Sequence, residues 1–537
     1  MEQQYREFFS WIFEKDEKIY SEMDLATERK IYYPEDIKSI IDTKEMQRLK
    51  KVLQLSSIIV DEETAYNTRY EHSLGTYSKG VELYINLYKN KQWKDIHNNK
   101  EEKLNIIASL IELLTHDIGH LTFSHTLESL IGKRGAHEVI GNRIIDESLQ
   151  NKIFSINPKL PEILKERRNH EYATIKEGNV DLDRMDYLIH DMIYLESEDM
   201  EVKEISEDIL KHTTLEKIEI NGKYEEVPIY ENEAIEKINK LLEIRNKNYK
   251  RIYNSNREFA LSKMYNKLCS AILNSDEKLP FKDFLEECNK NKLNIDLEKH
   301  SESNDIKTLN AFLDILEKSK NENLCQMAII CIPSLKGLIN IVYKMIDFPD
   351  SVDKENSNIQ KLIADSEERK LYERIKKYVK GTNLTTREKK IQTKLMLKDK
   401  KEVFFHVYDF GKDIDSIRKK MKKIGIDDSV IEEITWKSKI NKYKKSDINL
   451  ARNQDGKIVK LIEHPDFKVD MSDEYICGGY ICDITLKEQG ISNEQISKLK
   501  NICANYEVIK TNKSKRPSII ANSEDAVKKK YKAVQER

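Results

Sequence analysis

Glycine and proline are scarce, 16 and 9 residues in a chain of 537. Many-turned β architectures consume both, so the shortage, with abundant Lys, Glu, Leu and Ile, predicts a mainly α protein with long helices. Cysteine is sparse as well. Its seven scattered residues form no disulfide framework and point to reduced thiols and a cytoplasmic location. No stretch is apolar for the roughly eighteen residues a membrane helix needs, and MEQQYREFFSWIFEKDEKIY has no basic start followed by an apolar run, so neither a membrane partner nor a secretory signal is expected. A charge excess is also missing: 92 basic residues face 94 acidic ones, which gives no whole-chain argument for nucleic acid. Lysine clusters such as RKKMKK (418–423) and the terminal KKKYK could touch nucleic acid, but solvated helix faces and a frayed tail are the simpler reading.

The length allows two or more domains. Residues 1–35 are expected to form an N-terminal helical segment, 36–380 a helical core with a peripheral insertion at about 275–330, and 381–537 a smaller α+β region. Helical spacing runs through Ile37, Ile40, Ile41, Met46, Leu49, Val52 and Leu53, and again from Thr68 to Tyr88. Residues 89–103 read as a polar loop. In KIEINGKYEEVPIYE, two β-prone runs flank Asn221-Gly222, a hairpin signal. EVFFHVYDF, KIVKLIEH and EYICGGYICDITL read as strands of the C-terminal region. Cys477, Cys482 and Cys503 admit a zinc reading, with small residues in a packed strand pair as the simpler one.

The stretch from Leu104 to Ser124, LNIIASLIELLTHDIGHLTFS, is an apolar helix ending in a His116-Asp117 doublet. Half of the 12 histidines fall between His72 and His137. His97 lies in the polar loop, whereas His72, His116, His120, His125 and His137 lie in or beside expected helices. Imidazole and carboxylate together suit a borderline divalent cation such as Mn, Fe, Co, Ni or Zn better than Mg, which prefers oxygen. His116 and Asp117 stand about 100° apart on a helix and can reach one ion. His72, three residues after Arg69, and Asp183, which shares a helix face with Tyr187 and Asp191, are the natural further ligands. Asp186 and His190 read as solvent-facing, and an isolated HD dipeptide or a His137-Glu138 cap would mean little alone.

IIDTKEMQRLKKVLQL, TRYEHSLG, LTHDIGHLTFSH, the His137-Glu138 pair and DLDRMDYLIHD resemble the deoxynucleoside triphosphate triphosphohydrolases (dNTPases) of the HD superfamily, over roughly residues 36–270. The resemblance implies an HD-domain helical core, with His72, His116, Asp117 and Asp183 holding a divalent metal (Mn, Fe, Mg, Co, Ni or Zn). It implies active-site histidines at His120, His125 and His137, with Glu128 beside them. Arg69, Arg184 and Arg257 would contact a triphosphate. Gln54, Leu55, Tyr187 and Asp191 would line the sugar site, and Tyr265 would disfavour a 2′-hydroxyl. Asp42, Gln47 and Lys50 match positions that contact a regulatory nucleotide, although Lys50 replaces an arginine, and Leu121-Thr122 stands where Gly-Pro is common.

The expected reaction is metal-dependent hydrolysis of a dNTP at its α-phosphorus, giving deoxynucleoside and inorganic triphosphate. The expected partners are a dNTP substrate and further copies of the chain in a homo-oligomer, and depletion of dNTPs could serve antiviral defence. The alternatives are an HD-type nucleotide phosphatase or phosphodiesterase, and a non-catalytic nucleotide-binding sensor.

Overall fold

The computed structural model describes residues 2–508 apart from 25–28, 56–66, 132–134, 169–173, 196–198, 221–222, 280, 336, 339–340, 342–366, 382–383, 398–404, 441–447 and 470–473. The Asn221-Gly222 turn and the terminal KKKYK lie outside the described residues. The fold is mainly α with small sheets, as expected, and no described helix is long and apolar enough to cross a membrane.

Helix α1 (Glu2–Phe13) does not fill the expected helical segment 1–35; it gives way to an antiparallel hairpin of β1 (Ile19–Asp24) and β2 (Arg29–Pro34), paired from Ile19↔Pro34 to Asp24↔Arg29. Tyrosine and isoleucine at these positions fit a half-buried pleated surface, and that packing overrides the helical reading of the segment. The next expected helix is likewise broken. α2 (Glu35–Ile41) stops, and Thr43 starts α3 (Lys44–Arg48) by accepting from the Met46 amide.

Helix α4 (Arg69–Tyr88) begins at a capping box in which the Thr68 and Glu71 side chains each accept from the other's backbone N–H. The expected loop after it contains a short helix, α5 (Lys91–Ile96), because Asn90 accepts from two amides at its start. Asn99 then caps α6 (Lys100–Thr115). Val81 and Tyr84 of α4 and Ile107, Leu110, Ile111 and Leu114 of α6 are buried in one continuous core. His116 therefore sits at the C-cap of α6, with Asp117 one residue beyond.

Helices α7 (His125–Ile131), α8 (Ala136–Arg143), α9 (Gln150–Ile156) and α10 (Leu160–Glu166) lead to α11 (Leu182–Leu195), α12 (Asp199–Lys211) and the hairpin β3 (Thr213–Ile220) and β4 (Lys223–Tyr230). α13 (Ile235–Asn248) and α14 (Asn256–Leu273) follow, then α15 (Lys282–Asn291), α16 (Leu297–Glu302), α17 (Asp305–Lys318) and α18 (Glu322–Cys331). The last two are not a peripheral layer: Ile306, Leu309, Phe312, Leu313 and Ile315 of α17 are fully buried. Their apolar residues recur at helical spacing, a signal hidden by the polar text before them.

In the C-terminal region, β5 (Phe405–Asp409), β6 (Thr435–Ile440) and β9 (Glu474–Cys482) form a sheet in the order β5-β9-β6. β7 (Leu450–Arg452) pairs parallel with β4, and β8 (Ile458–Lys460) pairs with β7, so this region shares a sheet with the central hairpin. It also packs on α14, where Trp436 Nε1 donates to Asn256 Oδ1 (2.9 Å). Cys477, Cys482 and Cys503 are buried free thiols.

Beyond Asp117, the turn presses Gly119 against α8. A Cβ built on Gly119 would lie 2.0 Å from the His137 carbonyl oxygen and 2.3 Å from the Gly141 amide nitrogen, whereas one on Gly141 meets nothing closer than 3.5 Å. Gly119→Ala is therefore expected to cost about 1–3 kcal/mol in overpacking, and Gly141→Ala much less. Equal unfolding midpoints in denaturant for the two variants would contradict this account of the turn.

Candidate metal centre and active site

Four side chains from three elements converge at the end of α6. His72 Nε2 lies 2.9 Å from Asp183 Oδ1, 3.6 Å from Asp117 Oδ2 and 3.1 Å from His116 Nε2. His116 Nε2 is 3.6 Å from Asp117 Oδ1 and 3.7 Å from Asp183 Oδ1. Atoms bound at about 2.0–2.2 Å to one ion stand roughly 3–3.5 Å apart, so these separations fit the edges of a coordination polyhedron. Tautomers agree with this. His116 Nδ1–H donates to the Leu113 carbonyl (2.9 Å) and His72 Nδ1–H to Asp186 Oδ2 (2.8 Å), which turns both Nε2 atoms towards the carboxylates. The donor set thus fits a borderline divalent cation.

Behind the ligands runs a chain of buried charges. Asp186 and His190 are fully buried rather than solvent-facing. Asp186 contacts His72, Lys79 Nζ (3.3 Å) and His190 Nδ1 (3.1 Å), and His190 Nε2 faces Asp24 Oδ1 of β1 (3.4 Å). Burial alone would raise the Asp186 carboxyl, but His190, Lys79 and His72 hold it below the usual carboxylate range. Gly75 makes the room: a Cβ there would stand 2.2 Å from Asp186 Oδ1. The glycine of TRYEHSLG is the trace this shell leaves in the sequence.

A second cluster adjoins the first. The His120 and His137 rings stack at 3.9 Å and 12°, and His125 stands edge-on to both. Glu128 joins them, accepting from the amides of Gly135 (3.1 Å) and His137 (3.3 Å), contacting His137 Nδ1, and lying 3.2 Å from His125 Nδ1. His125 is 61% exposed while Glu128 is 4% exposed, so the acid is the anchor and the imidazole the working end. Burial would raise Glu128, but its hydrogen bonds with His125 and His137 keep it well below the ordinary range, hence ionised. Burial and the Arg69 charge hold His120 well below the usual imidazole range, and His120 Nδ1 has no hydrogen-bond partner among the described residues.

The two clusters meet at Asp117. Arg69 Nη1 donates to Asp117 Oδ2 (2.5 Å), Arg69 Nε to Ser124 Oγ (3.1 Å) and Nη2 to the Gln54 carbonyl (3.4 Å), while His120 Nε2 lies 3.2 Å from Asp117 Oδ1. Burial works against the Asp117 anion; Arg69, His116 and His120 overcome it and push the carboxyl well below its ordinary value.

The remaining expected contacts divide. Gln54 Oε1 is buried with no partner among the described residues, as a ligand contact would be, and Leu55 is buried beside it. Tyr187 stands between His72 (6.4 Å between centroids) and Tyr253 (5.7 Å). Asp191 accepts from Asn67 Nδ2 (3.3 Å) and from the Tyr253 hydroxyl, and burial raises its carboxyl to about 6. Arg257 is half-buried in the first turn of α14. Arg184 is tied to Asp181 through its side chain and amide. Tyr265 departs from expectation. Its ring is fully buried between Phe123 and Phe312 and its hydroxyl donates to the Cys331 carbonyl, so it offers no surface to a sugar. Asp42 pairs with Lys38, Gln47 donates to the Ile41 carbonyl (2.8 Å) and Lys50 lies over the Tyr70 ring (4.6 Å), so each of the three expected regulatory contacts has a partner within the chain.

Sequence reading missed the supports of the turn. Asp305, the first residue of α17, accepts from the amides of Leu53 (2.8 Å) and Phe123 (2.6 Å) and from Thr122 Oγ1 (2.7 Å). Arg48 donates to the carbonyls of His120 and Ser303, and His300 Nε2 lies 3.1 Å from the Gly119 carbonyl. Phe123 and Ser124 have φ of 52° and 45°, strained for L residues, and these bonds hold them there. No spacing in the sequence links residue 305 to residue 123.

Burial would lower the His72 imidazole, but its hydrogen bonds to Asp183 and Asp186 raise it to about 10. A cation reaching Nε2 at neutral pH must therefore expel that proton. Affinity for Mn(II) or Co(II) is expected to rise about tenfold per pH unit between pH 6 and 9, with proton release in calorimetry. A flat profile would remove His72 from the ligand set.

No family model matches this chain. It is 32% identical over 179 residues to the Dictyostelium discoideum deoxynucleoside triphosphate triphosphohydrolase SAMHD1 homolog, a match covering 30% of this chain and 34% of that one. It is 28% identical over 176 residues to the HD domain-containing protein L394 of Acanthamoeba polyphaga mimivirus, covering 28% and 38%. The chain spans about a third of the length of the curated relatives it matches. A phosphohydrolase of Bacteroides thetaiotaomicron shares the fold, with a TM-score of 0.56 at 18% identity over 87% of this chain and 99% of that one. The chain is thus similar, over part of its length, to proteins named for an HD domain or a deoxynucleoside triphosphate triphosphohydrolase, and it shares the fold of a phosphohydrolase.

Proposed function

We propose that this chain hydrolyses deoxynucleoside triphosphates to deoxynucleoside and inorganic triphosphate, with a divalent cation held by His72, His116, Asp117 and Asp183. The observation carrying this reading is the direct contact between that ligand set and a second cluster, His120, His125, His137 and Glu128. The name of the Dictyostelium relative supports the same activity. When bound, the cation would lower the pKa of a water and polarise a phosphoryl oxygen.

The chain's own residues supply the rest. A water oxygen adds to the α-phosphorus, releasing its proton to solvent, and the bond from phosphorus to the 5′-oxygen breaks. The leaving oxygen needs a proton, and His125 is the group to give it: Nδ1 is engaged by Glu128 and the ring is exposed. His120 and His137, stacked together, face the same space and would position the phosphate. The unpartnered Gln54 Oε1 would accept from a sugar hydroxyl. Asp191 and Tyr253 would border the same sugar. Arg257 would take the distal phosphates.

One observation favours a second reading, an HD-type phosphatase or phosphodiesterase acting on shorter substrates. Arg69 and Arg184 are both paired with carboxylates, and Tyr265 is in the core, so part of the expected triphosphate and sugar recognition is engaged elsewhere. Incubation with each dNTP, singly and mixed, with Mn(II) or Mg(II), separates the two by anion-exchange chromatography. Triphosphate as product supports the first reading; orthophosphate from dNMP with no triphosphate from dNTP supports the second and sinks the first. Mixed substrates are included so that a requirement for an activating nucleotide does not hide the activity.

General acid catalysis is typically worth about 100- to 10,000-fold. His125→Ala is expected to lose kcat in that range and retain its metal, checked by steady-state kinetics and elemental analysis. Near-normal turnover would remove His125 from the role.

Asp305→Ala, remote from the substrate, is expected to lower kcat by releasing Thr122 and Phe123, with activity partly restored by Asp305→Asn, whose carbonyl still accepts. A variant with full kcat would make the Asp305 bonds irrelevant to the turn.

A further inference from the structure

Outside the active site, His97, Glu102 and Glu226 bring one imidazole nitrogen and two carboxylate oxygens within 4.8 Å of one another. They come from three elements: His97 caps the end of α5, Glu102 lies in the first turn of α6 and Glu226 lies on β4. His97 and Glu102 are buried. His97 was expected in a polar loop; instead its ring stacks on Trp93 at 4.0 Å and 15°.

The imidazole is fixed for one use. Its Nδ1–H donates to the Trp93 carbonyl (2.8 Å), leaving Nε2 to face the two acids. Nε2 lies 3.5 Å from Glu226 Oε1 and 3.9 Å from Glu102 Oε2. A charge-assisted hydrogen bond would close to about 2.8 Å, and neither contact does. Two ligands of a tetrahedral ion with bonds near 2.0–2.1 Å stand roughly 3.4 Å apart and can span at most about 4.1 Å; the Glu226 separation lies close to the first figure and the Glu102 separation within the second. Glu102 keeps its two oxygens apart in function, Oε1 contacting Lys217 and Oε2 facing His97. The lysine thus orients the acid from outside the proposed coordination sphere.

We propose that His97, Glu102 and Glu226 form a second divalent-cation site for a borderline ion of the Zn(II) class, with water completing a four-coordinate shell. Its role is structural. It joins the β3–β4 hairpin to the α5–α6 corner, and β4 carries the strand pairing to β7 of the C-terminal region. α6 separates this site from the HD doublet: from Glu102 to His116 the helical rise is about 20 Å. The proposal does not depend on the reaction assigned to the active site.

Full-length protein is loaded with excess Zn(II) or Co(II), desalted, and its metal counted by elemental analysis. Glu226→Gln and His97→Ala are each expected to carry about one equivalent less than the parent. Asp117→Asn is expected to retain this equivalent, so in that background the visible absorption of bound Co(II) persists and disappears on adding Glu226→Gln. Zn(II) is expected to raise the thermal unfolding midpoint of Asp117→Asn but not of the double variant. Equal metal content in parent and Glu226→Gln overturns the proposal. If Glu226→Gln fails to fold, absence of a Co(II) spectrum from the Asp117→Asn chain does so alone.

Discussion

Asp117 cannot sit where it does without Arg69. A carboxylate buried at the end of an apolar helix costs several kcal/mol unless it is paired, and the guanidinium at 2.5 Å, itself 5% exposed, supplies the pairing. The rest of the site is arranged around that bond. The Thr68–Glu71 capping box sets the first turn of α4 and so aims both Arg69 and His72. Arg69 reaches on to Ser124 and Gln54, and Ser124 Oγ donates to the Leu53 carbonyl (3.0 Å). One guanidinium therefore joins the candidate metal ligands, the histidine turn and the segment carrying Gln54.

What could be read in advance was what lies on one element or in one local motif. The long helices announced themselves by apolar spacing, and the β3–β4 pair by its turn residues. That His72, His116, Asp117 and Asp183 would come together was legible because the histidine–aspartate doublet is adjacent in sequence, His72 stands three residues after Arg69, and Asp183 shares a helix face with Tyr187 and Asp191. What stayed hidden depends on residues far apart in the chain. Asp305 grips the turn at 122–123 from 182 residues away, and its own segment looked like polar filler because the apolar face of α17 follows a hydrophilic stretch. Asp186 and His190 looked solvent-facing because polarity normally means exposure; here each neutralises the other. Tyr265 shows the opposite error. A side chain aligned with a sugar contact is drawn into the core by Phe123 and Phe312.

The N-terminal hairpin gains meaning from the same charge network. Asp24 ends β1 and faces His190, which faces Asp186, which orients His72. A strand that sequence reading placed in a helix thus supplies the outermost charge of the shell behind the candidate metal centre. Its register, Asp24↔Arg29 at the end of the pair, brings Arg29 against Glu82 and Glu207. The hairpin is held on both sides by charges, so its position and the orientation of His72 are coupled through buried contacts that are expensive to break.

The balance of charge at the centre also explains how such a site could take an anion. Asp24, Asp117, Asp183 and Asp186 face Arg69, Lys79 and His190, with the His72 proton as a further positive charge. Before any cation binds, these charges largely offset one another, so the pull on an anion is weaker than with a cation in place. Exchanging the His72 proton for a divalent cation adds one net positive charge in a place shielded from water, where a charge acts most strongly. His120 adds little because burial and Arg69 keep it neutral. Attraction for phosphate then depends on the cation being present, so ligand binding and metal loading are expected to be coupled in this centre although the whole chain is almost uncharged.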